Sequence, residues 1–81
     1  MLEWYDSAQL RLSRMKELVR YIEAHPDGVS MLQLKKFATL HFGMVLKTFD
    51  VMIRQLAMAH VIEDRCLRFW ITQSGKRWLQ E

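Results

Sequence analysis

Lys47, Thr48, Val51, Arg54 and Gln55 fall on one face of an α-helix of ordinary pitch. With Met58 they offer two cations, two hydrogen-bonding side chains and two apolar tips. Such a face suits the base edges, methyl groups and phosphates of the DNA major groove. It equally describes an ordinary amphipathic helix with a solvated side. The opposite side carries Phe49, Ile53, Leu56 and His60, with Leu46 just before it, and is apolar enough to face a core.

Other chemistry is poorly provided for. His25, His41 and His60 do not stand at metal-ligand spacing, and Cys66 has no second cysteine to join it. His41 and His60 are expected as partly buried, hydrogen-bonded residues on helical core faces. Glu63 and Asp64 are adjacent in a strand pattern, so they point to opposite faces and are poorly placed to share a metal. No nucleophile–base arrangement and no phosphate-cradling glycine loop is present. The six methionines are spread along the chain, which suits core filling. Cys66 is read as incidental, because a sensing thiol needs a lowered pKa that nothing nearby guarantees. No enzymatic activity, metal or cofactor is expected.

The chain has 81 residues, 51% hydrophobic and 26% charged, which fits one small globular domain over residues 1–81 with an extension at 1–6. A domain of this size gains from a second copy. Net charge is +3. Between Gly28 and Ile62 four cations (Lys35, Lys36, Lys47, Arg54) stand against one acid, Asp50. That local balance suits a polyanionic partner. A single cysteine permits no internal disulfide, as in a reducing compartment. The opening residues do not read as a signal peptide, and no apolar run reaches the ~20 residues that span a bilayer. A cytoplasmic protein without membrane contact is the expectation.

Periodicity orders the elements. Asp6 and Ser7 are set to cap a first helix, with Ala8, Leu12, Met15, Val19 and Ile22 in its apolar stripe, widened by Leu18. It ends near Ala24, before Pro26 and a turn over 25–28. Val29-Ser30 is extended. Ser30 caps a second helix from Met31 to about Phe42, whose apolar positions are Leu34, Phe37, Ala38 and His41, with bulk from Leu40 and Phe42. Lys35, Lys36 and Thr39 form its polar face, and Gly43 closes it. The third helix is the Lys47–His60 stretch.

After His60 the period changes to two. Val61-Ile62-Glu63 forms one strand; Leu67, Phe69 and Ile71 alternate with Arg68, Trp70 and Thr72 in the next. Asp64-Arg65-Cys66 turns between them, and without Asn-Gly or Asp-Gly a two-residue type I′ turn is not signalled. Thr72 caps a last short helix in which Gly75 permits close packing and Trp78 and Leu79 fold back on the core. The fold class is therefore α+β and mainly helical.

This order, with Leu56-Ala57-Met58-Ala59-His60-Val61-Ile62-Glu63 followed by Trp70-Ile71-Thr72-Gln73-Ser74-Gly75-Lys76-Arg77-Trp78-Leu79, resembles the winged helix-turn-helix domain. Small single-domain regulators of archaea and their mobile elements are especially similar. The resemblance covers roughly residues 7–80. It implies a three-helix core, a two-stranded hairpin wing and a short C-terminal helix. It also implies sequence-specific binding of double-stranded DNA by a transcriptional regulator. Lys47-Thr48-Phe49 matches the start of the family's recognition helix; Val51, Arg54 and Gln55 fall on groove-facing positions, and Arg65 and Arg68 on the wing. His60 replaces the usual glycine after that helix, and the short wing lacks glycine and carries two acids.

Lys35 and Lys36 would contact phosphates and fix orientation. A homodimer is expected through Leu10 and Tyr21, on the polar side of the first helix, with Trp4 and Tyr5 at the free end. The alternative is a winged-helix module that joins proteins in a larger assembly and has little affinity for DNA.

Overall fold

The computed structural model describes the backbone of residues 2–81 and the side chains of residues 8–81. Its elements are α1 (Leu2–Glu23), β1 (Val29–Ser30), α2 (Met31–Phe42), α3 (Leu46–Met58), β2 (Ile62–Arg65), β3 (Arg68–Ile71) and α4 (Gln73–Gln80). This is an α+β architecture, mainly helical, with a three-stranded antiparallel sheet in the order β1-β3-β2. The short extended stretch at Val29-Ser30 thus becomes the third strand, with Val29 opposite Phe69 and Ser30 opposite Arg68.

The core is built from one face of each element. Leu18, Val19 and Ile22 of α1, Leu34 and Ala38 of α2, and Phe49, Met52, Ile53 and Leu56 of α3 are buried together with Val29, Ile62 and Phe69. Each large side chain withdrawn from water contributes about 1.5–3 kcal/mol. Half-buried Trp78 and Leu79 of α4 close the cluster, as their spacing implies. An aromatic row joins α1 to α2: Tyr21 stacks on Phe37 with ring centroids 4.2 Å apart and tilts against His25 at 4.4 Å.

Helix α1 departs from its expected bounds. Asp6 and Ser7 have helical backbone rather than capping an end, since nothing in Leu2-Glu3-Trp4-Tyr5 breaks a helix. The helix has 22 residues and spans about 33 Å, longer than the core it packs on. Its stripe is buried only from Leu18 onward. Ala8 and Leu12, expected in the core, are exposed because the buried cluster reaches along α1 only to Leu18, with Met15 packed partly against it.

Helix α2 is closed at both ends as its sequence implies. The Ser30 hydroxyl accepts from the Gln33 amide while the Gln33 side chain accepts from the Ser30 amide, a reciprocal capping box. At the other end Gly43 (φ 62°) donates to the Thr39 carbonyl and Met44 to that of Ala38. The bond from left-handed Gly43 to Thr39 is the αL type of helix cap. Helix α3 ends in a Schellman motif built without glycine. His60 (φ 61°) donates to Ala57 and Val61 to Leu56, with Val61 and Leu56 both buried. His60 therefore lies beyond the helix and is exposed, not part of its apolar stripe. His41 is likewise exposed, and Leu40 is 80% exposed, because the inward side of α2 is filled by Leu34 and Ala38.

The hairpin also turns later than expected. Arg65 pairs with Arg68, so the loop is only Cys66-Leu67, both left-handed at φ 56° and 63°. That is a type I′ geometry achieved without Asn or Gly. The register follows from packing. Ile62 and Phe69 must both face the core, and a slip of one residue would turn Phe69 outward. The Trp70 indole N–H fixes the same register by donating to the Arg65 carbonyl at 3.0 Å. Leu67, expected on the inward side, is instead 91% exposed at the tip.

Helix α4 begins at a crowded junction. The Thr72 hydroxyl accepts from the Gly75 amide at 2.9 Å and lies 3.0 Å from the Val61 carbonyl. The Thr72 amide donates to that same carbonyl at 3.1 Å. A Cβ at position 75 would stand 2.1 Å from the Val61 oxygen, so no side chain fits there. Gly75→Ala is expected to lower stability by about 3 kcal/mol or more, read as a shift of the urea midpoint. An unchanged midpoint would show that α4 can lift off this contact freely. His60→Gly has the opposite sign. It relieves a left-handed residue with an exposed side chain and should add about 0.5–1 kcal/mol, seen as a raised Tm.

Candidate functional site

The outer face of α3 is open along its length. Lys47, Thr48, Val51, Arg54, Gln55 and Met58 are all exposed, while Phe49, Met52, Ile53 and Leu56 are buried beneath them. Burial at steps of three and four residues fixes how the helix is rotated on the core, and the outward set follows from it. Met52 was not anticipated as a core residue, although its position between Phe49 and Leu56 completes the helical repeat. Asp50, the acid of this helix, lies off the centre of the exposed face, two residues from Thr48 and so on the far side from it.

The expected binding residues border separate surfaces. Lys47, Thr48 and Val51 line a cleft of about 260 Å³ together with Met52 and with Arg11 of α1. Lys35 and Lys36 line a shallow depression on α2 with Thr39 and Leu40. Arg65 belongs to a third surface, a cleft of about 380 Å³ formed with Ile22, Glu23, His25, Trp70 and Lys76. No sequence pattern pointed to Arg11, because its approach to α3 is a tertiary contact between distant segments.

The two hairpin arginines are engaged with their own chain. The Arg65 guanidinium lies 4.9 Å above the centre of the Trp70 ring and 3.6 Å from a Glu63 carboxylate oxygen. The ion pair is well exposed and worth at most about 1 kcal/mol. Arg68 donates to the Gly28 carbonyl at 3.2 Å, tying the hairpin to the turn before β1. Two cations of α1 cover aromatic rings in a similar way: Arg14 lies over Phe42 and Lys16 over Trp78.

Of the residues expected to pair two copies, Leu10 is half exposed. Tyr21 is half-buried in the row with Phe37 and His25, so much of its ring is already covered. Trp4 and Tyr5 fall outside the residues whose side chains are described. Among the described residues no group of three histidine, cysteine or carboxylate side chains is placed to hold a metal ion. No described helix is long and apolar enough to cross a membrane. Comparisons with protein families, with characterised proteins and with solved structures find no match to this chain.

The division of α3 into a structural and an open face has a direct test. Met52→Ala should cost about 2–4 kcal/mol by leaving a cavity. Val51→Ala and Arg54→Ala should each stay within about 0.5 kcal/mol of the parent. Urea unfolding of the three variants separates the two faces; a large loss at Arg54 would mean that it supports the fold.

Proposed function

We propose that this chain is a winged helix-turn-helix protein that binds double-stranded DNA in a sequence-specific manner and regulates transcription as a homodimer. The observation that carries the reading is the open face of α3, where Lys47, Thr48, Val51, Arg54 and Gln55 stand exposed on a helix whose other side is buried. The order of helices and the hairpin after α3 support it. In this reading α3 lies in the major groove. Arg54 forks onto guanine O6 and N7, Thr48 and Gln55 hydrogen-bond base edges or backbone, and Val51 meets a thymine methyl. Lys47 reaches a guanine edge or a phosphate. Lys35 and Lys36 hold phosphates and set orientation without reading sequence. The hairpin keeps Arg65 over its own indole and Arg68 on the Gly28 carbonyl, so it contributes less than α3.

A second reading, a protein–protein module, draws on the exposed apolar side chains Leu40, Val45 and Leu46 around the α2–α3 connection. Selection of bound sequences from a random duplex pool separates the two. DNA binding by a symmetric dimer returns a two-fold motif with half-sites about 34–36 Å apart or a multiple of that. The Lys47→Ala, Arg54→Ala double variant should then bind the selected site at least about tenfold more weakly, each good base contact being worth ~1–3 kcal/mol. Equal affinity of parent and double variant at every salt concentration would remove α3 from the interface.

A further inference from the structure

We propose that Arg11 of α1 joins Lys47 and Thr48 of α3 in holding one backbone phosphate of the bound DNA, which makes α1 a second point of attachment. The inference rests on the DNA-binding reading and extends it to an element that carried no binding role. Its basis is the cleft of about 260 Å³ where the two helices meet. Buried Met52 and half-exposed Val51 supply its apolar lining, while exposed Arg11 and Lys47 bring a cation from each helix. Thr48 adds a hydroxyl that can donate.

Among the described residues, the lining of this cleft carries two cations and no acid. Asp50 is about 200° around the helix from Thr48 and, although it stands one turn from Lys47, it does not line the cleft. Glu17 of α1 is paired with Arg20 at 3.0 Å, well along the helix from Arg11. A guanidinium offers a planar fork matched to two phosphate oxygens, an ammonium a third contact, and the hydroxyl a fourth. The location selects the backbone over the bases. The cleft lies at the side of the α3 face, on the Thr48–Met52 flank, and a helix seated in the major groove has a phosphate strand along each flank.

The test is the salt dependence of binding to a mixed-sequence DNA duplex two helical turns long, where electrostatic contacts dominate. Losing one phosphate contact lowers the slope of log K against log salt by about 0.9. Arg11→Gln should therefore reduce the slope by about that amount and weaken binding about three- to tenfold at low salt, evenly across sequences. Arg11→Lys, which keeps the charge, should recover most of the slope. Both variants should melt at the parent temperature, because Arg11 is exposed. If Arg11→Gln keeps the parent slope while Arg54→Ala loses binding, the phosphate contact is wrong and the α3 interface stands. If Arg11→Lys is as weak as Arg11→Gln, charge is not what Arg11 supplies and the proposal fails. If the parent shows no salt-dependent retention on DNA, this proposal and the reading beneath it fail together.

Discussion

The carbonyl oxygen of Val61 is where three parts of the chain are held together. It follows directly on the end of α3, accepts from the Thr72 amide, and leaves no room for a side chain at position 75. The last turn of α3, the start of β2 and the first turn of α4 are thereby fixed relative to one another. Because α3 is buried through Phe49, Met52, Ile53 and Leu56, this junction also sets how its open face is presented. The hairpin cannot rotate against α3 without breaking the Thr72 contacts, and α4 cannot move without exposing Trp78 and Leu79.

Local signals in the sequence carried far where a single residue type has one strong structural use. Ser30 with Gln33, Gly43, Thr72 and Gly75 each do what their chemistry favours, and the order of elements follows from them. The same reasoning failed where tertiary packing overrules local preference. Cys66-Leu67 and His60 take left-handed backbone because burying Phe69, Ile62 and Val61 determines the register, and the turn residues comply. The first helix starts before Asp6 because cap-forming residues are only a preference when no breaker precedes them. Its stripe over-predicted burial because periodicity says which side faces inward, not how far the core extends.

The α3 face was legible for a related reason: burial of four residues at helical spacing leaves the remaining positions no other place to point. Arg11 was not, since its nearness to Lys47 depends on how α1 and α3, two helices not consecutive in the chain, lie against each other. Arg65 and Arg68 illustrate the converse. Their positions on a hairpin suggested outward cations, yet stacking on Trp70 and donation to Gly28 direct both back onto the protein.

The pairing of β1 with β3 has a further consequence. Two residues, Val29 and Ser30, close a loop that returns at Arg68 and Phe69 and contains all of α2 and α3. Closing a loop of that length costs only about 0.6 kcal/mol more than closing one half as long, so a short ladder suffices to hold it. Within this loop the two helices share one core, and neither can be released while the other stays packed. Amide protons inside α2 and α3 are thus set to exchange with solvent as a single cooperative unit, opening when the β1–β3 clasp and the core beneath it open.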